Sequence, residues 1–145
     1  MPNPKAQAAA ALMASPEDAE AQFYEALREG DLERLMAVWA DDEEIVCVHP
    51  GGLRHVGYDA VRASFEQLFT GDGSLTFRLE EVVVLETVGL AMQSAIEHVY
   101  NASGTARGVA VATNIFIRTP SGWRIVMHHA SSAPAIAPPP SGPLH

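Results

Sequence analysis

The stretch Ala40-Asp41-Asp42-Glu43-Glu44-Ile45-Val46-Cys47-Val48-His49-Pro50-Gly51-Gly52 decides how this chain is read. An acidic helix end runs into a short β-branched strand, and the strand stops on a histidine followed by a proline and two glycines. Proline fixes φ and lacks an N–H, so a sheet ladder must end at Pro50. An imidazole is thereby presented at a strand terminus, where scaffolds commonly place ligand contacts or chemistry.

Upstream of this stretch the pattern is helical. Ser15-Pro16-Glu17-Asp18 opens a helix, with Ser15 as cap, proline at the first position and acids at the positive end of the dipole. Ala19, Phe23, Ala26 and Leu27 then fall on one face. Gly30 stops this helix and Asp31 caps a second, whose apolar face is Leu32, Leu35, Met36 and Trp39. Downstream, Gly57-Tyr58-Asp59 precedes a third helix with Val61, Phe65, Leu68 and Phe69 on its apolar side.

From there the period changes to two. The spacing predicts strands near 75–86, 90–100, 107–118 and 123–131, joined by turns at Val88-Gly89, Ala102–Thr105 and Thr119–Gly122. Helices followed by an antiparallel meander is the α+β pattern. The expected organisation is a flexible N-terminal extension over 1–14, one domain over 15–132, and a Pro-rich disordered tail over 133–145.

Composition sets limits on function. Hydrophobic residues make up 48% of the 145, enough for a real core in one domain. The net charge is −9 and the nine cations are scattered, which argues against a nucleic-acid partner. No apolar run approaches the ~18 residues of a membrane span, so a cytoplasmic protein is expected. Cys47 is the single cysteine and reads as a buried structural thiol. The histidines lack ligand spacing, so no metal and no cofactor are expected.

Alternation sorts the last two strands into faces. If the Thr119–Gly122 turn pairs Arg118 with Trp123, then Asn114 faces Met127 and Ala112 faces His129. Trp123, Ile125, Met127, His129 and Ser131 would then share a face with Asn114. A glycine bulge at Gly122 would slip the pairing by one and set Asn114 beside His128 instead. A buried asparagine needs partners, and a ligand is one candidate. Glu97 is the only acid from Thr87 onward and stands among apolar neighbours, which makes it a candidate pocket group.

These residues resemble a known family. Phe23 to Asp42, Val48-His49-Pro50, Gly57-Tyr58-Asp59-Ala60-Val61-Arg62 and Gly122-Trp123-Arg124-Ile125 are similar to the nuclear transport factor 2-like superfamily, nearest its SnoaL-like branch. The likeness spans residues 16–132 or so. It implies a cone of three N-terminal helices packed on a strongly curved, mostly antiparallel sheet, with an apolar pocket and dimerisation through the sheet. In the related ketosteroid isomerase, an aspartate base precedes a proline at the end of the first strand, where this chain has His49 before Pro50. A protonated aspartate stands two residues before a phenylalanine of a late strand, matching Asn114 before Phe116. The helix-one tyrosine corresponds to Phe23. Tyr24 is next to it, about 100° around the helix.

The expected function is binding of a small apolar carbonyl-type molecule, with cofactor-free proton transfer of isomerase, cyclase or dehydratase type as the candidate activity. The alternative is a non-catalytic dimerisation or association module. His49 is expected to be the base, Asn114 the donor to the charged oxygen, and His129 a second acid or orienting group. Trp39, Phe23, Phe65, Phe69, Glu97 and Phe116 are the expected ligand contacts. His49 and Asn114 should line one cavity, walled by Trp39 and Phe65. The late strands are apolar on both faces, so a homodimer is expected to bury the outer one.

Overall fold

The structure is a computed structural model that describes Pro4 and residues 12–134. Its elements, in chain order, are α1 (Pro16–Glu29), α2 (Leu32–Val38), β1 (Val46–Val48), β2 (Arg54–Val56), α3 (Tyr58–Asp72), β3 (Thr76–Glu86), β4 (Leu90–Tyr100), β5 (Ala106–Thr119) and β6 (Gly122–Ala133). They form an α+β domain, three helices against a curved six-stranded sheet ordered β2-β1-β6-β5-β4-β3. All pairs are antiparallel except β1 with β6.

Local chemistry sets the helix ends. The Ser15 hydroxyl accepts from the Asp18 N–H at 3.0 Å, and the Asp31 carboxylate accepts from the Arg34 N–H at 3.0 Å. Gly30 takes φ +66 and its N–H closes α1, so the chain turns there without a Cβ penalty. Phe23, Ala26, Leu27, Leu35, Met36, Val38, Trp39 and Phe65 pack as one core with Ile125 and Phe116 of the sheet. The packed core reaches back to Met13. Met13 is buried, and its carbonyl accepts from the Trp123 N–H at 2.8 Å. The rest of that extension and the tail beyond Pro134 lie outside the described residues.

Three register shifts shape the sheet. One falls at Glu81-Val82 in β3, one at Arg107 in β5, and one at Val126 in β6. The last decides the site. Arg118, Ile117 and Phe116 pair with Trp123, Arg124 and Ile125 as the turn dictates. Val126 is then left over, so that Ile115 pairs with Met127 and Asn114 with His128. Every later side chain of β6 changes face. Among the described residues, no helix is long and apolar enough to cross a membrane.

Candidate functional site

The end of β1 carries the first group. His49 O accepts from the Gly52 N–H at 2.8 Å across Pro50 and Gly51, and Gly51 has φ +71. Proline followed by a positive-φ glycine is the type II turn, which ends the strand and holds the imidazole inward. The ring meets Phe65 edge-to-face at 4.8 Å between centroids. Its Nε2 lies 3.0 Å from the Ser64 hydroxyl. That hydroxyl donates its one proton to the Val61 carbonyl at 2.7 Å, so it can only accept from His49. We assign the hydrogen to Nε2 on that ground, with Cys47 Sγ 3.7 Å from the same nitrogen, which leaves Nδ1 with the free lone pair. Burial, then the neighbouring His55, brings the imidazole down to about 4, so it is neutral at pH 7. Burial pushes the Cys47 thiol up, which removes it as a nucleophile.

The second group is a buried hydrogen-bonded chain across the inner face of the sheet. His128 Nδ1 and Asn114 Oδ1 are 2.5 Å apart. Asn114 Nδ2 donates to the Tyr24 hydroxyl at 3.2 Å, and that hydroxyl donates to Glu97 Oε2 at 2.6 Å. An amide oxygen accepts only, so His128 Nδ1 carries its hydrogen and Nε2 is the free lone pair. Exposure is 5% for His128, 1% for Asn114 and 1% for Glu97. Burial, then His49 and His129, pulls the His128 imidazole down to about 3. Burial lifts Glu97 to about 7, with the Tyr24 hydrogen bond pulling the other way. Tyr24 itself is raised by burial and by Glu97.

His49, His128 and Glu97 line one cavity of about 330 Å³. Its walls are Leu27, Phe65, Leu68, Leu75, Phe77 and Val99. Small residues on the sheet make the space, since Gly108, Ala110 and Ala130 stand where larger side chains would fill it. At the rim, the shift at Arg107 turns its guanidinium to Asp72 of α3, at 3.0 Å. The arrangement is an apolar cup with two neutral imidazoles and one buried carboxyl at its polar end.

A family model for the SnoaL-like domain matches residues 17–136. The chain belongs to that family. Two solved structures share about a third of their residues with this SnoaL-like domain. One, from Thiobacillus denitrificans, is provisionally assigned as a calcium/calmodulin-dependent protein kinase type II association domain. It is 33% identical with TM-score 0.74, covering 84% of this chain and 98% of its own. The other, from Streptomyces avermitilis, is provisionally assigned as a dehydratase of the nuclear transport factor 2-like family. It is 34% identical with TM-score 0.73, covering 81% and 92%. F-box protein SKIP8 of Arabidopsis thaliana is 23% identical over 113 residues. These are 76% of this SnoaL-like chain but only 46% of that relative's length.

Several expected site residues of this SnoaL-like chain lie elsewhere. His129 is on the outer, exposed face, because the extra residue at Val126 exchanges it with His128. The same shift moves Met127 outward. Asn114 stands behind the cavity, held between Tyr24 and His128, and does not line it. Trp39 is core. It bridges to Ile125 and packs on Phe65 at 6.0 Å, away from the cup. Phe23 and Phe116 are fully buried beneath the site, and Phe69 is half-buried against the core; none of the three is a wall. Phe65 and Glu97 do line the cup. The lining residues missed include His128, Leu27, Leu68, Leu75, Phe77 and Val99, and Tyr24 was missed as their partner behind the cup; the open alternative for Asn114 was the signal for His128.

Proposed function

We propose that this chain binds a small, largely apolar molecule with a carbonyl group in the cup and transfers a proton on it, with His49 as base. One observation carries this reading: a neutral imidazole with a free Nδ1 lone pair borders a cavity that is otherwise mostly apolar. His128 and Glu97 supply the rest of the polar end. Asn114 acts as a positioning residue, holding His128 and Tyr24. The likeness to the Streptomyces avermitilis protein supports chemistry of elimination type.

A thermal-shift screen with hydrophobic ketones and hydroxyketones would find the ligand. With a turned-over compound in hand, His49→Ala should lower kcat by on the order of 10²–10⁴. Stability should fall by only about 1 kcal/mol, because a half-buried strand-end ring contributes little to the core. The acid limb of kcat/KM should lie near pH 4 rather than near 6.5. Wild-type turnover by His49→Ala would remove His49 from the mechanism, and failure to fold would make it a structural residue.

A second reading concerns assembly, and it rests on the outer face of the sheet. Val83, Leu85, Leu90 and Val111 are exposed there, Val111 by 46%, next to Met92, Ile96, Ile115, Ile117 and Met127. A monomer rarely leaves so continuous an apolar stripe in water, and a second copy of the same face would cover it. Sedimentation at micromolar concentration should therefore give a dimer, and Val111→Glu should give a monomer. A wild-type monomer at that concentration would end this reading.

A further inference from the structure

The hydrogen positions around the cup decide which ligands can satisfy it. The Nε2–H of His49 goes to Ser64 and the Nδ1–H of His128 goes to Asn114, both directed into the protein. Each imidazole is left with a lone pair and no proton to offer. Glu97 has one oxygen committed to the Tyr24 hydroxyl, and its other oxygen accepts when ionised. The remaining polar lining, Asp72, Arg107 and Ser132, is exposed at the rim, where Arg107 is already paired with Asp72. The deep polar end is therefore rich in acceptors. A ligand whose only polar atom is a carbonyl oxygen would leave those buried acceptors unpaired, which weakens its binding.

We propose that the cup selects an apolar molecule that donates a hydrogen bond, an alcohol or phenol whose hydroxyl proton goes to the free lone pair of His49 or His128, and that Glu97 is the one deep group able to offer a proton to a carbonyl. This rests on the cup being the ligand site, and it narrows the substrate class to hydroxylated apolar compounds, hydroxyketones included. Glu97 holds its proton up to about 7, raised by burial. The charged and titratable groups about it are Tyr24 and Glu20 from α1, Asp72 from α3, Arg107 from β5, His128 from β6 and His49 at the end of β1. Of these, Glu20 is also raised to about 7, by burial first and then by the charges of Glu17 and Glu97. A bare ketone should thus find its donor below pH 7 and lose it above, while an alcohol keeps its acceptors across that range.

Calorimetry of the full chain with 1-indanol, 1-indanone and 1-methoxyindane, at pH 6 and pH 8, tests this. Indanol should bind about tenfold more tightly than the ether at both pH values, the worth of one hydrogen bond. Indanone should weaken about tenfold from pH 6 to pH 8, following the protonated fraction of Glu97. In Glu97→Gln, whose amide always offers a hydrogen, the ketone should lose that pH dependence. An ether that binds as tightly as the alcohol overturns the donor requirement and leaves the cup as the site. Ketone binding that is flat with pH in the wild type removes Glu97 as donor. Absence of binding by all three at millimolar concentration overturns the cup itself as the ligand site.

Discussion

Asn114→Ala should destabilise the fold by about 3 kcal/mol and lower Tm by about 10 °C. The residue is 1% exposed and joins two walls of the cone, taking the His128 Nδ1–H and giving an N–H to the Tyr24 hydroxyl. Truncation leaves the His128 Nδ1–H buried without a partner, on the order of 1–3 kcal/mol, takes one of two hydrogen bonds from the Tyr24 hydroxyl, which keeps Glu97, and adds a small cavity. Tyr24→Phe cuts the same chain at its next link. The two losses should therefore not add, and the double variant should fall short of the sum by 0.5 kcal/mol or more, roughly. Urea unfolding of the three variants measures this. A loss below about 0.5 kcal/mol for Asn114→Ala, or strict additivity, would mean that the four groups do not act as one network.

The dependence of stability on pH should carry the signature of the same groups. Unfolded His49 and His128 take protons below about 6.5, whereas the folded rings stay neutral down to about 4 and about 3. They lend stability that is present above 6.5 and lost as pH falls. Glu97 works in the opposite sense. The unfolded carboxyl ionises above 4.5 while the folded one keeps its proton to about 7, so stability is lost as pH rises through that window. Glu20 adds a smaller loss of the same sign. Between pH 4.5 and 6.5 the two pairs oppose each other, and the wild-type curve should be nearly flat. Glu97→Gln removes one of the opposing protons. Its stability should rise across that window by about 1.4 kcal/mol per pH unit relative to wild type, about 3 kcal/mol in all. Denaturant midpoints measured from pH 4.5 to 8 would show it. A constant offset between variant and wild type would mean that Glu97 ionises as an exposed carboxyl does.

Both results bear on the division of labour within the cup. The hydrogen-bonded chain orients His128 and Glu97 from behind, as second partners commonly fix the tautomer of a functional imidazole. Ser64 does the same for His49 from α3. Three separate elements thereby aim two neutral imidazoles and a carboxyl that holds its proton up to about 7 at one space, and that convergence distinguishes the cup from the scattered polar residues of an ordinary core.

Much of this was legible in the chain itself. The caps at Ser15 and Asp31, the corner at Gly30 and the turn at His49-Pro50-Gly51-Gly52 are local chemistry, settled by neighbours a few residues away. The strands follow from period-two alternation, and their observed limits depart from the expected ones by one or two residues. His49 could be singled out because a proline-ended strand announces its own terminus. What the chain could not reveal was long-range. One unpaired residue, Val126, exchanges the faces of everything after it in β6, putting His128 rather than His129 at the site, and no residue type demands a bulge there. Tyr24 is one residue past the expected helix position because the roll of α1 is set by packing on the sheet, where Phe23 fills the core and Tyr24 meets Glu97 and Asn114. Composition and local pattern determined the α+β class and the strand-end imidazole, and the family resemblance implied the cone; the pairing of distant strands decided which polar groups meet, because a single-residue step in register inverts a strand while leaving its sequence pattern unchanged.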